Sequence, residues 1–560
     1  MSSFFALLEQ LNAVMLSVPV LATLLGAGVL FTLWSGFSQY RSLTHGVALV
    51  AGRGIDTRGG QGALSHFQAL STALSGTVGL GNIAGVAIAV EFGGPGAVFW
   101  MWVVGIVGMA LKSTEVTLAM LYRDMSNPDD PHGGTMYVCR RGLAAMGPLW
   151  GALGKVAGAF FCVAMLTFAV TGGNMFQAWS VADTTQAYFG VPQWISGVVL
   201  ALLVALVVLG GVKRLGQTAD KLVPLMCLIY VIAGVYVLSV NAQTLPDIFR
   251  LIFRSAFAPA EAVGAFSGAS LGMAFIFGMK RALFSSESGL GTAPIAHAAV
   301  KTPEPVTEGV VAGLEPFIDT LVVCTITALV ILSSGVWNRG PVGTWNVPPA
   351  MTQIQPGEWE PAVSELPTQS SETFRPGDPV FVMLEIDGER ARLHGEVAVL
   401  ENGIGLRWQR HVGVSTPVLV EPGLFADYRG STLAAKAFDT AHAGLGKWMV
   451  TTAVWLFALS TIITYGYYGE QGMRYFGVKD RGVLVYRLLW CALVALTCLG
   501  FIRTSREVDT LSTVALGFML AVNLPVMLLL GTRAMGAWHD YFRRLKRGEI
   551  ALPPRKTIAR

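Results

Sequence analysis

Charge is scarce in this 560-residue chain: Asp, Glu, Lys and Arg make up 13% of it, against 53% hydrophobic residues. A soluble protein of this length carries about twice that share of charge, so the sequence reads as a polytopic membrane protein. Alternating apolar and polar positions are missing from the apolar runs, which disfavours a transmembrane β-barrel. No GxxxxGK[ST] occurs, so nothing points to a phosphate-cradling loop or to ATP as an energy source. Cysteine is sparse: Cys139, Cys162, Cys227, Cys324, Cys491 and Cys498 have no CxxC spacing, and neither a disulfide nor a metal site is expected. A basic n-region is absent ahead of the first apolar run, so that run is expected to stay as a span, preceded by an interfacial Met1 to Asn12.

What is present is a series of long apolar runs. Crossing ~30 Å of hydrocarbon takes about 20 helical residues, and that ruler gives about eleven spans. They are Val14 to Trp34, Phe67 to Val90, Gly96 to Leu121, Gly151 to Asn174, Trp194 to Gly211, Leu222 to Val240, Val263 to Phe284, Val310 to Leu332, Trp448 to Tyr468, Leu484 to Phe501 and Leu511 to Leu530. Lys and Arg collect in alternate loops, as at Arg53, Arg140, Arg141, Lys213, Lys280, Arg481 and the tail Arg543 to Arg547. That bias predicts an N-terminus outside and a C-terminus in the cytoplasm. The formal net charge of +4 reflects the same bias and implies no nucleic-acid partner.

Hydropathy collapses between 336 and 445. Inside that insert, PVFVMLEIDGERARLHGEVAVLENGIGLRWQR has short β-rich runs with DG and NG turn signals, which predicts a small β-rich extracytoplasmic domain. Trp337 to Pro376, rich in Pro, Ser and Thr, reads as a linker. The expected division is 1–35 for N-terminal helices, 36–335 and 446–532 for the membrane core, 336–445 for the insert and 533–560 for a basic cytoplasmic tail.

Setting the first span aside leaves ten, which divide into five and five; an odd number per half makes the halves inverted. The first span of each half is glycine-rich: Gly76, Gly79, Gly81 and Gly85 in one, Gly264, Gly268 and Gly272 in the other. Matched interruptions in inverted halves point to a transporter binding site. The same glycines, spaced by four, also suit close helix packing, although Thr77, Asn82 and Ser270 add polarity there.

The run GLGNIAGVAIAVEFGGPGAVFWMW, Gly79 to Trp102, resembles the signature of the alanine/glycine:cation symporter family. So do GGTMYV at 133–138, GNMFQAWSVAD at 173–183, GGVKRLG at 210–216, SGLGTAPIAHAAVKT at 288–302, FIDTLVVCTITALVIL at 317–332 and YYGE at 467–470. The resemblance spans the whole membrane portion and leaves out only the insert. It implies an all-α fold of one N-terminal helix plus a five-plus-five inverted-repeat, leucine-transporter-like core. It further implies a multi-pass transporter of the cytoplasmic (inner) membrane, not an enzyme, importing alanine, glycine or a similar small neutral amino acid. Sodium is the expected coupling ion, and no cofactor is expected. Two departures stand out: Gly272 to Gly278 reads GMAFIFG where the family has a pattern like MQAIRYG, and Glu91 replaces a usually apolar residue.

A zwitterion in a low-dielectric site needs a partner for each charge. Backbone N–H groups around Gly79, Leu80 and Gly81 are expected to face the carboxylate at a half-helix N-terminus, with Asn82 and Thr77 nearby. Carbonyls of Gly268, Ala269 and Ser270 are expected to meet the ammonium, with Met273 limiting side-chain size. Asn174 and Gln177 are expected to cap the third core helix, Gln177 reaching the substrate. By resemblance, sodium would be held by the hydroxyls of Ser460 and Thr461 with backbone oxygens of Ser75, Val78 and Phe457. Lys112 and Glu115, at i and i+3, are expected to neutralise each other, and Glu287 and Asp319 to serve packing or a gate. The alternatives are a proton-coupled carrier of another amine or amino acid, suggested by Glu91, and a non-transporting ligand sensor.

Overall fold

The computed structural model describes residues 2–55, 60–128, 131–261, 263–367, 369–370, 374–400, 403–428, 430–500 and 505–550. The long apolar runs fold as helices whose backbone groups are paired internally, as a bilayer requires. Seven described helices are long and apolar enough to cross a membrane, or eight if a bent pair counts as one span. In chain order the elements that matter are α1 (Leu7–Trp34), the bent pair α2 (His66–Thr77) and α3 (Leu80–Gly93), α4 (Gly96–Tyr122) and α5 (Pro148–Phe189). There follow α6 (Gln193–Val208), α7 (Gly211–Val240), α8 (Leu245–Phe257), α9 (Leu271–Ser286), α10 (Ala293–His297) and α11 (Pro305–Ser333). The last four are α12 (Ser431–Asp439), α13 (Leu445–Tyr475), α14 (Asp480–Thr497) and α15 (Ser505–Lys546).

Three of the eleven expected spans take other forms. The span expected at Trp194 to Gly211 is the 16-residue α6, and that at Leu484 to Phe501 is α14, whose first turn holds Asp480. The span expected at Val263 to Phe284 is helical only from Leu271, where the Ser270 hydroxyl accepts from Met273 N–H as an N-cap. Before it, Val263 pairs with Phe266 and Ala260 with Ala269 as isolated bridges, and Gly264 and Gly268 have φ of +54° and +91°. The four-residue glycine spacing there is therefore not a helix-packing stripe.

Two other boundaries move. The helix expected to end at Asn174 runs on to Phe189, because Gly172 and Gly173 fall inside a π-turn, Ala169–Met175, rather than at a terminus. A Cβ on Gly173 would lie 2.4 Å from the Tyr465 ring, so this glycine serves close approach of α5 to α13. Asn174 and Gln177 thus do not cap a helix. At the C-terminus, residues expected as a tail continue α15 to Lys546, where Arg544 holds Glu304 with two hydrogen bonds of 2.8 and 2.7 Å.

Between α11 and α12 the chain forms an antiparallel seven-stranded sheet whose centre is Gly423–Ala426, Pro379–Ile386, Glu389–Leu400 and Gly403–Trp408. The DG signal is the turn at Asp387 and Gly388, both at positive φ; the NG signal involves Asn402, outside the described residues. The stretch expected as a linker contributes strands as well: Met351–Gln355 pairs with Glu358–Pro361. Pro356 lies in the turn between these strands, and Pro361 is the last residue of the second, paired with Met351.

Candidate functional site

Helix α2 starts on a capping box in which Ser65 and Gln68 exchange side-chain bonds, and it ends at Thr77. The chain then bends by 64° before α3. Val78 and Gly79 are extended, and Leu80–Asn82 makes a single 3-10 turn. Asn82, fully buried, organises this break: its Oδ1 accepts from Gly79 N–H at 2.9 Å, while its Nδ2 donates to Asp319 and lies 3.4 Å from Ser285 Oγ. The Gly79 N–H expected to face a carboxylate is therefore satisfied within the loop in this conformation.

Asp319 is fully buried in α11. It accepts from Asn82, from Ser285 Oγ at 2.5 Å and from Thr320 Oγ1 at 3.0 Å, and no Lys or Arg among the described residues makes an ion pair with it. Asn82 belongs to the first break and Ser285 to the last turn of α9. This carboxylate is where the first break meets α9.

The second break lies beyond α9, not before it. Glu287 has φ of +50°, and Gly289 and Gly291 both have φ of +84°. A left-handed glutamate is strained; its carboxylate is held by Tyr465 OH at 2.5 Å and Thr292 Oγ1 at 2.6 Å. A Cβ on Gly291 would lie 2.2 Å from Thr135 Oγ1, so the neighbours leave room for glycine alone. Asn523 Nδ2 donates to Gly289 O at 2.8 Å, tying α15 to the break. The sequence held a signal for this: Gly-Leu-Gly occurs at 79–81 and again at 289–291.

Gly268, Ala269, Ser270 and Met273 accordingly sit elsewhere. A Cβ on Gly94 would meet Phe266 and Ala269, and one on Gly93 would meet Met273 O at 3.3 Å. These residues pack at the far end of α3, whose regular stretch Ala84–Gly93 puts them about 15 Å along the helix from the first break. The structure does not bring them to Asn82. Thr77 Oγ1 bonds back to Ala73 O at 3.4 Å within its own helix. Gly81 faces Phe284 O, 3.7 Å from where its Cβ would be, so the start of the second break abuts the first. Gln177 donates to Gly172 O at 3.2 Å and keeps a buried Oε1 with no hydrogen-bond partner.

The residues expected to hold a cation do converge. Ser75 Oγ donates to Ser460 O at 2.8 Å, Ser460 Oγ lies 2.9 Å from Phe457 O and 3.3 Å from Ser75 O, and Thr461 Oγ1 donates to Ser75 O at 3.2 Å. Val78 is the buried cap of α2 beside them, and a Cβ on Gly79 would lie 3.1 Å from Thr461 Oγ1. This is a small, buried cluster of hydroxyl and carbonyl oxygens between α2 and α13. Such a donor set suits a hard monovalent cation.

Sequence reasoning missed a buried ionic chain next to the second break. Glu308 pairs with His66 and, at 2.5 Å, with His297 Nδ1; His297 Nε2 meets Glu315 at 2.7 Å. Lys112 Nζ lies 3.3 Å from Glu315 and 3.6 Å from Glu115, and Asn523 Nδ2 donates to Glu115 at 3.0 Å. The expected Lys112–Glu115 contact is one link of this chain. Carboxylates at both ring nitrogens make the imidazolium the form that satisfies His297 fully.

Residues 1–364 and 416–553 match the sodium:alanine symporter family. The chain is 34% identical to the sodium/alanine symporter AgcS of Methanococcus maripaludis over 94% of this chain and 95% of that one. It is 28% identical to a sodium/proton-dependent alanine carrier protein of Bacillus sp. PS3, over 87% of this chain and 90% of that one. Among solved structures, a manganese transporter of Eremococcus coleocola is similar at a TM-score of 0.44 and 12% identity, over 84% of this chain and 78% of that one. Matched along both membrane portions and nearly end to end by its relatives, the chain belongs to the sodium:alanine symporter family.

Proposed function

We propose that this chain is a sodium-coupled symporter that imports alanine, glycine or a similar small neutral amino acid by alternating access. The observation that carries the reading is the oxygen cluster of Ser75, Phe457, Ser460 and Thr461 built against the first helix break. Sodium there would bridge α2 to α13, and the amino acid would lie against the break at Gly79, Gly81 and Asn82, with Gln177 Oε1 as an open acceptor for its ammonium. The fold proposed is one N-terminal helix and two inverted halves of five, with breaks at 78–83 and 287–292 as counterparts. The protein would sit in the cytoplasmic membrane, N-terminus and β-sheet outside, C-terminus inside. The test is uptake of labelled alanine into proteoliposomes under an inward sodium gradient. Uptake that persists unchanged when potassium replaces sodium overturns the reading.

A second reading, proton coupling, is favoured by one observation: Asp319, a buried carboxylate without a cationic partner among the described residues, joins Asn82 to Ser285. A carboxylate so placed can carry either a proton or a share of a cation's charge. The relative from Bacillus sp. PS3, named for both ions, supports keeping it. Asp319→Asn separates the two: a lost response to an imposed pH gradient with sodium dependence intact supports proton coupling, and a raised half-saturating sodium concentration supports a sodium ligand.

A further inference from the structure

We propose that Arg392 is a gating residue, and that its ion pair with Glu91 makes the β-sheet part of the transport cycle by latching the half-helix α3 to the insert. Arg392 lies in the strand Glu389–Leu400, within residues 365–415, which the family match leaves out. Glu91, on the last turn of α3, is one of the two places where the sequence departs from the pattern it resembles. It meets the insert: Arg392 Nη1 donates to Glu91, and both side chains are at most 7% exposed.

The guanidinium grips a second moving part. Its Nε and Nη2 donate to Ala265 O at 3.1 and 2.7 Å, and its plane lies over the Phe381 ring at 4.7 Å. Ala265, on the chain that leads into α9, is fully buried among Phe381, Met383 and Phe425 of the sheet. One side chain from the insert therefore holds the end of α3 and the approach to α9 together.

The same insert is anchored to the opposite part of the core. Helix α12, which follows the sheet, packs so closely on α13 that a Cβ on Gly446 would lie 1.8 Å from Ala435 O. Phe438 of α12 meets the Tyr230 ring of α7 at 5.9 Å. Sheet and helix thus bridge the broken helices to the helices that would stay still; at the other end of α3 a Cβ on Gly430, just before α12, would lie 3.2 Å from Ala84 Cβ, so a swing of α3 away from α13 that leaves the insert in place breaks the Arg392–Glu91 contact. Burial pulls the Arg339 guanidinium beside it down to about 10, so it too is cationic at neutral pH.

This inference rests on the alternating-access reading, and its test does not depend on which solute moves. Hydrogen–deuterium exchange on the full chain in nanodiscs would be compared for wild type, Arg392→Ala, Arg392→Lys and the charge swap Glu91→Arg with Arg392→Glu. Arg392→Ala is expected to speed exchange in 84–93 by about tenfold or more while strands 379–400 keep their protection. Arg392→Lys is expected to fall between, because a lysine can meet Glu91 but not hold Ala265 O as a fork. The swap is expected to recover most of the protection. Unchanged exchange in 84–93 overturns the proposal. So does protection lost from 84–93 and 379–400 together, which would make the pair a folding contact of the sheet.

Discussion

Asn82 shows how much of this site depends on single side chains. Its amide satisfies Gly79 on one side and Asp319 on the other, and both partners are buried. A buried polar group left unpaired costs about 1–3 kcal/mol, more for a charge. Asn82→Ala is therefore expected to lower the initial rate of alanine uptake by more than about tenfold, while membrane insertion, read by size-exclusion of the solubilised protein, stays normal. Ser460→Ala with Thr461→Ala tests the neighbouring oxygen cluster. The sodium concentration for half-maximal uptake is expected to rise by about tenfold, equivalent to about 1.4 kcal/mol. The alanine KM at saturating sodium is expected to move far less.

At the level of elements, the corrected second break makes a sharp prediction. Gly291 has φ of +84° and no room for a methyl group, whereas a Cβ on Gly272 would meet only Ser270 Oγ, at 3.9 Å. Gly291→Ala is expected to destabilise the protein by more than about 1 kcal/mol, and Gly272→Ala, inside a helix, to be neutral or slightly stabilising. Thermal melts of the two variants in detergent check both. The first break was legible in the sequence because Gly79 and Gly81 interrupt an apolar run beside Asn82. The second was misread because Gly264, Gly268 and Gly272 looked like the matching cluster; their spacing fits a helix face, but Gly264 and Gly268 turn the chain before the helix begins. The repeated Gly-Leu-Gly, at 79–81 and 289–291, was the better guide, since one copy falls in each of the two breaks.

Across the whole molecule, hydropathy gave most of the long apolar helices but could not give their neighbours. Lys112, Glu115, Glu308 and Glu315 are each affordable in a bilayer only because partners from other helices meet them, and His66 and His297 come from positions that periodicity does not connect. The same holds for Glu91, whose partner lies 301 positions away. Placement of Ala265 against Phe381, Met383 and Phe425 of the sheet has a thermodynamic consequence: the approach to α9 and one face of the sheet bury apolar surface against each other, which couples their unfolding. Heating is expected to give one cooperative transition rather than two, whether followed by far-ultraviolet circular dichroism of the helices or by fluorescence reporting on Trp345, Trp359 and Trp408 of the insert. The insert would then raise the unfolding barrier of the membrane helices, as a clasp does, by an amount that vanishes when Ala265 is replaced by a residue too large for its pocket.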